Sequence, residues 1–191
     1  MTDVEEFLNS ITTALDANDI DVVEAAQRTA QYVQSNMGCD IVSFWLLQGP
    51  PGARSARRMA CVDVDHPNAH LVPMELGQAE CADYFELIAN GGLFVSADAQ
   101  HDPHLAAMRE AYLVPEGIKA TLCVTIAVNG ESISVINCAE RRSTRVWTAG
   151  EVAKMQRLAA QISLRRARRR SREVASANLS EADKLKLAQS A

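Results

Sequence analysis

Long hydrophobic runs are missing from this sequence of 191 residues. A membrane-spanning helix needs about 20 consecutive apolar residues. The longest apolar candidate, Ile41 to Leu47, is short and contains Ser43. Three of the first six residues are acidic and none is basic, whereas a secretory or transit peptide begins with basic residues. These absences exclude membrane-spanning and secreted classes, and we expect a cytoplasmic protein.

Cysteine is scarce and follows no recognisable pattern. The five cysteines are an odd number and lack the short spacings of a structural zinc site. They fit reduced thiols in the cytosol better than a disulfide framework. Aromatic residues are also few, at 5%, but 48% hydrophobic and 23% charged residues are ordinary for a globular protein. The length suits one domain with flanking helices.

The net charge of −5 conceals an uneven distribution. Residues 1–50 carry eight acidic residues and one basic residue, whereas residues 141–172 carry eleven basic residues and one acidic residue. The arginine-rich stretch from Arg165 to Arg172 is compatible with binding to nucleic acid or an anionic membrane, or with a solvated helix that faces the acidic N-terminal helix. Because this stretch continues a helical pattern without interleaved aromatic residues, the second interpretation is favoured.

Apolar periodicity predicts the order of helices and strands. A helical stripe near the N-terminus consists of Val4, Phe7, Leu8, Ile11 and Leu15. A second helix begins near Asp19 or Asp21 and ends at Gly38. Strands are predicted at 41–47, 57–64, 93–96, 119–128 and 132–139, short helices at 82–89 and 102–113, and an irregular stretch at 65–78.

Two local motifs support this order. Asn129-Gly130 lies between two strand patterns and predicts a hairpin. Thr148 with Glu151 three residues later predicts a capping box at the start of a long C-terminal helix. An antiparallel sheet with helices on both faces satisfies this pattern, and the first and last helices share one face because each has a single apolar stripe.

Five stretches carry a family resemblance. They are residues 39–46 (CDIVSFWL), 84–87 (YFEL), 95–103 (VSADAQHDP), 112–122 (YLVPEGIKATL) and 145–148 (RVWT). In this order the chain resembles a GAF domain, a small-molecule sensor of bacterial signalling proteins, over about residues 21–163. It is similar to the GAF domains attached to histidine kinases, as in two-component systems, and to cyclic-di-GMP enzymes.

The resemblance implies an α+β fold with a central antiparallel sheet of five to six strands. The N- and C-terminal helices would cover one face, and short helices would enclose a ligand pocket on the other. We expect residues 1–18 to form an N-terminal dimerisation helix, residues 19–163 the GAF domain, and residues 164–191 a basic helical extension.

Strand alternation separates a polar face of the sheet from an apolar one. The polar face is the ligand side in GAF domains, and an apolar site with a few hydrogen-bonding groups suits a small molecule. The alternative is a filled core in which Thr121 and Asn137 bond to the backbone or to buried water. The candidate pocket residues are Ser43, Trp45, Phe85, Asp98, Thr121, Cys123, Thr125 and Asn137.

Neither a metal nor a covalent pigment is expected. The histidines His66, His70, His101 and His104 lie in predicted loops or at a helix start, without three convergent ligands. Bilin-carrying GAF domains attach their pigment to a cysteine where this chain has Met108. Any other cofactor is left unknown.

Catalytic motifs are also lacking: there is no glycine-rich phosphate loop and no nucleophile elbow. One GAF branch reduces free methionine sulfoxide with loop cysteines, but here Cys123 and Cys138 fall within strands. Cyclic-nucleotide-binding relatives carry an asparagine-lysine pair, and this chain has Asn137 followed by Cys138.

We therefore expect a non-enzymatic sensory or regulatory module that binds an unknown small molecule. It would form a homodimer through its terminal helices and signal to an effector protein, or to an effector domain absent from this chain. The alternative is a protein that binds nucleic acid or anionic membranes through Arg165 to Arg172. The third hypothesis is a methionine sulfoxide reductase-like enzyme.

Overall fold

A computed structural model describes residues 3–67 and 73–189, with side chains up to residue 175. The helices are α1 Val4–Asp16, α2 Val22–Met37, α3 Ala82–Gly91 and α4 Ala149–Gln189. The strands are β1 Ile41–Gln48, β2 Ser55–Asp63, β3 Glu75–Gly77, β4 Leu93–Ser96, β5 Ala120–Val128 and β6 Glu131–Glu140. A 3₁₀ helix, Pro103–Met108, runs into a π-helical turn, Arg109–Leu113, and together they are called the covering segment. Among these described helices, none is long and apolar enough to cross a membrane.

The six strands form one sheet in the order β3-β2-β1-β6-β5-β4, with every neighbouring pair antiparallel. The predicted α+β fold is thereby confirmed. The short strand β3 corrects one expectation, since it lies within the stretch 65–78 predicted to be irregular. Its three residues pair with β2 at Ser55 to Arg57. Three residues are too few to show an alternating pattern in the sequence.

Local signals in the sequence account for several element boundaries. Asn129 and Gly130 both have positive φ, 53° and 80°, as a two-residue hairpin turn between β5 and β6 requires. At the start of α4, the backbone N–H of Glu151 donates to Thr148 Oγ1 at 3.2 Å, and the Thr148 N–H donates to the Glu151 carboxylate at 2.8 Å. Asp21 caps α2 by accepting from the N–H of Glu24 at 2.8 Å.

The two faces of the sheet are packed by different elements. Leu122, Val124 and Ile136 lie in the core under α1, α2 and α4. Trp45 and Cys123 lie in a second core under α3 and the covering segment. The alternation predicted from the strands is therefore confirmed, and each face has its own hydrophobic core.

The apolar stripe of α1 is partly covered within one chain. Leu8 and Ile11 are 2% and 9% exposed, and the Phe7 ring stacks on Tyr32 of α2 at 4.1 Å between centroids. The other stripe residues, Val4, Phe7 and Leu15, are only partly buried. Helix α1 therefore packs on its own chain and keeps part of its apolar stripe accessible.

The basic C-terminal helix contacts the acidic N-terminal helix of its own chain. Arg172 pairs with Asp16 at 3.1 Å, and Arg165 donates to Asn9 Oδ1 at 2.8 Å. Helix α4 has 41 residues, which at 1.5 Å per residue is about 60 Å. Its side chains beyond residue 175, in the predicted extension, and His70 lie outside the described residues.

Candidate functional site

The sheet face under α3 and the covering segment carries a group of buried polar side chains. This buried polar cluster consists of Ser43, Trp45, Thr121, Cys123 and Asn137 from the strands, with Tyr84 and Tyr112 from the elements above. Register explains the grouping, because Asn137 of β6 lies opposite both Ser43 of β1 and Cys123 of β5. Side chains of directly opposite residues share one face of a sheet.

Hydrogen bonds link the cluster across three strands. Thr121 Oγ1 donates to Asn137 Oδ1, and Asn137 Nδ2 donates to the hydroxyl of Tyr112 at 3.3 Å. Trp45 Nε1 donates to Ser43 Oγ at 2.7 Å. Asn137 therefore joins a strand hydroxyl to a residue of the π-helical turn.

Aromatic rings occupy the space between the sheet and its cover. The Tyr112 ring meets Trp45 edge to face at 5.5 Å, and the Tyr84 ring meets Phe94 in the same way at 6.1 Å. The Tyr84 hydroxyl contacts the Cys123 sulfur at 3.6 Å. In the state described, this face is a filled core whose polar groups bond to one another.

Seven of the eight predicted pocket residues lie on this side of the fold. Phe85 is 1% exposed in the same core. Thr125 is partly buried, and its hydroxyl donates to the backbone oxygen of Ile88 at 3.0 Å, so its hydrogen bond is to α3 and not to a cluster residue.

Asp98 is the residue that the fold does not bring to the cluster. Its side chain is 48% exposed, and its carboxylate pairs with His101 at 3.0 Å on the surface. The reason is local, since β4 ends at Ser96 and the strand alternation does not extend to Asp98.

The sequence pattern did not identify two groups beside the cluster. Arg58 of β2 has a side chain only 4% exposed that pairs with Glu116 at 3.1 Å, and its guanidinium lies 5.8 Å from the centre of the Trp45 ring. A bulge brings it there: Phe44 lies opposite Ala60, but Trp45 lies opposite Arg58. Such a shift in register has no sequence signal that strand alternation detects.

The second missed group is the pair of tyrosines above the sheet. Tyr112 lies within the stretch 112–122 that carries the family resemblance, so this signal was available. The direction of the Tyr112 side chain could not be predicted from the sequence, because it depends on the π-helical turn. Tyr84 lies in the predicted short helix, and only packing of α3 on the sheet shows that it faces Cys123.

The thiols and phenols of this region are neutral at physiological pH. Burial raises the pKa of the Tyr84 and Tyr112 hydroxyls and that of the Cys123 thiol. Burial likewise raises the pKa of Cys61 to about 11. Because a thiolate is the reactive form of cysteine, these groups are poor nucleophiles.

Two of the described histidines pair with one carboxylate each. His66 pairs with Asp63 at 3.1 Å, and His101 pairs with Asp98. Within residues 3–67 and 73–175, no three histidine, cysteine or acidic side chains are grouped as a metal site requires.

Several solved structures share this fold. The phycocyanobilin-bound GAF domain from a cyanobacterial phytochrome has a TM-score of 0.68 at 17% identity, over 88% of this chain and 96% of that chain. The blue-light absorbing form of the Thermosynechococcus elongatus PixJ GAF domain has a TM-score of 0.69 at 16% identity, over 91% and 95%. At such low identity these likenesses show the fold alone.

The sequence comparison gives the family directly. No curated protein matches the chain. The family model described as GAF domain matches residues 21–165, well over half of the sequence and close to the span expected from the motifs. The chain therefore belongs to the GAF domain family, whose members are generally sensory or regulatory.

Proposed function

We propose that this chain is a non-enzymatic, cytoplasmic sensory module that binds a small molecule at the buried polar cluster and signals through α4 to an effector. The observation that carries the proposal is the cluster itself. A polar group in a core is costly unless it is hydrogen-bonded, and apolar residues would fill this space without that requirement. Polar side chains from three strands, converging under the covering segment, suit recognition of a ligand.

The chemistry of the cluster defines what it would bind. Asn137 offers an amide donor and acceptor, Thr121 offers a hydroxyl, and Trp45 and Tyr84 offer apolar ring surface. The ligand would carry hydrogen-bonding groups on a compact apolar frame. It would take the place of the Tyr112 side chain, which is held on a π-helical turn. Single π turns are frequent at functional sites.

A covalently attached bilin does not fit this chain. The covering segment contains no cysteine, and Met108 is buried against the core at 4% exposure. The rings of Trp45, Tyr84 and Tyr112 fill the space above the sheet. The proposed ligand is therefore smaller than a tetrapyrrole and bound without a thioether bond.

A route from the cluster to α4 runs through β6. Asn137 faces the cluster, whereas its neighbour Cys138 faces α4 and contacts Met155 at 3.9 Å between sulfur atoms. A displacement of β6 caused by a ligand at Asn137 would alter the packing of Met155. Helix α4 would carry that change beyond the domain to an effector protein or domain.

The experiment is mass spectrometry of small molecules released from the purified protein by denaturation. We expect a compound in wild type and in Thr125→Val, a threonine of the same strand whose hydroxyl bonds to α3 instead. Thr121→Val, which removes the contact with Asn137, should lose it. Equal amounts of the compound in Thr121→Val and wild type, with both proteins folded by circular dichroism, would contradict the proposed site.

A homodimer formed by the terminal helices is part of the proposal. The most exposed apolar side chains of the terminal helices lie on the outer side of α4, where Leu164 and Val174 are 49% and 53% exposed. Light scattering at about 50 μM should give a dimer, and Leu164→Asp with Val174→Asp should give a monomer. A monomeric wild type would remove the dimer from the proposal.

The alternative function, binding of nucleic acid or anionic membrane by Arg165 to Arg172, is favoured less by the contacts. Arg165 and Arg172 bond to α1, and Arg169 pairs with Glu173 at 2.9 Å. The exposed arginines Arg168 and Arg170 are left on the outer surface. Binding to DNA or anionic vesicles that weakens steeply with salt would support this alternative.

A further inference from the structure

A half-open groove lies on the sheet face opposite the buried polar cluster. It runs between α1, α2 and α4 on one side and the sheet on the other, with a cavity volume of about 100 Å³. Its walls are nearly all apolar, including Leu15, Leu46, Met59, Ile126 and Ile162. We call it the helix-side groove.

The interior of the helix-side groove has little to offer a polar ligand. Three neutral polar residues line it: Thr12, Thr29 and Ser134. The hydroxyls of Thr12 and Thr29 each donate to a carbonyl of their own helix, Leu8 and Ala25, at 2.7 Å. An engineered apolar cavity of about 150 Å³ binds benzene. The volume here therefore suits a short alkyl chain or a small ring.

Charge at the groove is of one sign. All its charged lining residues are arginines of α4: Arg165, Arg166 and Arg169. Arg165 is held by Asn9, and Nε of Arg169 donates to Glu173. Nη1 of the same Arg169 guanidinium, by contrast, is buried and has no hydrogen-bond partner among the described residues. A buried guanidinium N–H without an acceptor is destabilising, and an anionic oxygen would satisfy it.

From these observations we propose that the helix-side groove binds an anionic amphiphile, a carboxylate with one short alkyl chain. The carboxylate would accept from Arg169 Nη1, with Arg166 beside it, and the chain would lie against Leu46 and Ile126. The site goes beyond the proposed sensory function, because it uses the opposite face of the sheet and none of the cluster residues.

The experiment uses sodium octanoate with the full chain in NMR titrations. We expect nuclear Overhauser contacts from the octanoate methylenes to the methyl groups of Leu46 and Ile126. Arg169→Gln should weaken octanoate binding by roughly tenfold, the effect of losing a charge-assisted hydrogen bond. Arg168→Gln is the matched control, because Arg168 is one residue away on the exposed side of α4.

A second ligand and further variants distinguish the possible outcomes of this experiment. Octanol, which has the chain without the charge, should bind more weakly than octanoate. Thr121→Val, the variant that tests the cluster, should leave octanoate binding unchanged, so failure of the proposed function at the cluster is distinguished from failure here. If Arg169→Gln does not fold, Arg166→Gln takes its place.

The proposal is overturned if octanoate at millimolar concentration gives no contacts with Leu46 or Ile126. Equal weakening by Arg168→Gln and Arg169→Gln would also overturn it, since that result indicates attraction to the helix as a whole. Intermolecular contacts between isotope-labelled and unlabelled chains at these methyl groups would assign the groove to a second copy instead.

Discussion

Arg58 and Glu116 form a largely buried ion pair at 3.1 Å that joins β2 to the turn after the covering segment. Arg141 adds to the same site, donating from Nε to the Glu116 backbone oxygen at 2.7 Å. Glu116 thus holds the end of the segment that bears Tyr112. The pair lies beside Trp45, so it supports the cover of the buried polar cluster.

Glu116→Gln is expected to destabilise the protein by about 1–3 kcal/mol, because Arg58 keeps its charge in a buried position without its carboxylate. The control is Glu110→Gln, since the Glu110 side chain is 86% exposed and lies 3.9 Å from Arg109. Its effect should stay within about 0.5 kcal/mol. Urea unfolding measures both variants, and equal losses would show that the buried pair has no special role.

Thr121 and Asn137 are expected to be energetically coupled. Thr121→Val removes the hydroxyl donor of the Asn137 oxygen, which keeps only the weaker contact with the Cys123 thiol at 3.5 Å. Asn137→Leu removes the amide that bonds to the hydroxyls of Thr121 and Tyr112. Each single change should cost about 1–3 kcal/mol. The double variant should cost at least about 0.5 kcal/mol less than the sum of the two. Additive losses in urea unfolding would contradict the hydrogen-bonded cluster.

Glu151 is expected to make stability depend on acid pH. Burial raises the pKa of its carboxyl, but hydrogen bonds from the Thr148 N–H and from Arg145 outweigh burial, so the pKa lies below its usual value of 4.5. A carboxyl whose pKa is lower in the folded state stabilises fully above its unfolded pKa, and this stabilisation is lost as pH falls through the folded pKa.

Glu151→Gln should therefore cost about 0.3–1 kcal/mol at pH 7, and the difference from wild type should shrink below the unfolded pKa of 4.5. Glu24→Gln is the matched control at the same helix position, where the ion pair with Arg28 is about half exposed. Urea unfolding at neutral and acid pH measures the differences. If the difference in the free energy of unfolding between wild type and Glu151→Gln is the same at neutral and acid pH, the Glu151 carboxylate does not cause the pH dependence.

Cys61 is expected to be the first thiol to react with iodoacetamide in the folded protein. It is partly exposed, whereas the other four cysteines are buried. Because burial raises the pKa of Cys61 to about 11, the rate should still rise above about pH 10, where an ordinary thiol has levelled off. Peptide mass spectrometry measures the rate at which each cysteine is alkylated, with Cys61→Ser as the control. Earlier labelling of Cys123 would contradict the described packing.

Some features were determined by the sequence alone. Hydrophobic alternation on β5 and β6 placed Thr121, Cys123 and Asn137 on one face, because successive side chains of a strand point to opposite faces. Asn129-Gly130 predicted its hairpin because its residues accept positive φ. These results depend on neighbours in the chain and on a period of two, and both can be read without knowing the fold.

Only the tertiary structure decided which polar residues belong together. The bulge on β2 that brings Arg58 beside Trp45 and the π-helical turn that directs Tyr112 to Asn137 arise from packing between distant segments. Asp98 shares a family-like stretch but lies beyond the end of β4, on the surface. The α1 stripe has the same pattern whether its own α2 or a second chain covers it. Periodicity shows that one face of a helix or strand is buried. Only the fold shows which element or chain that face packs against.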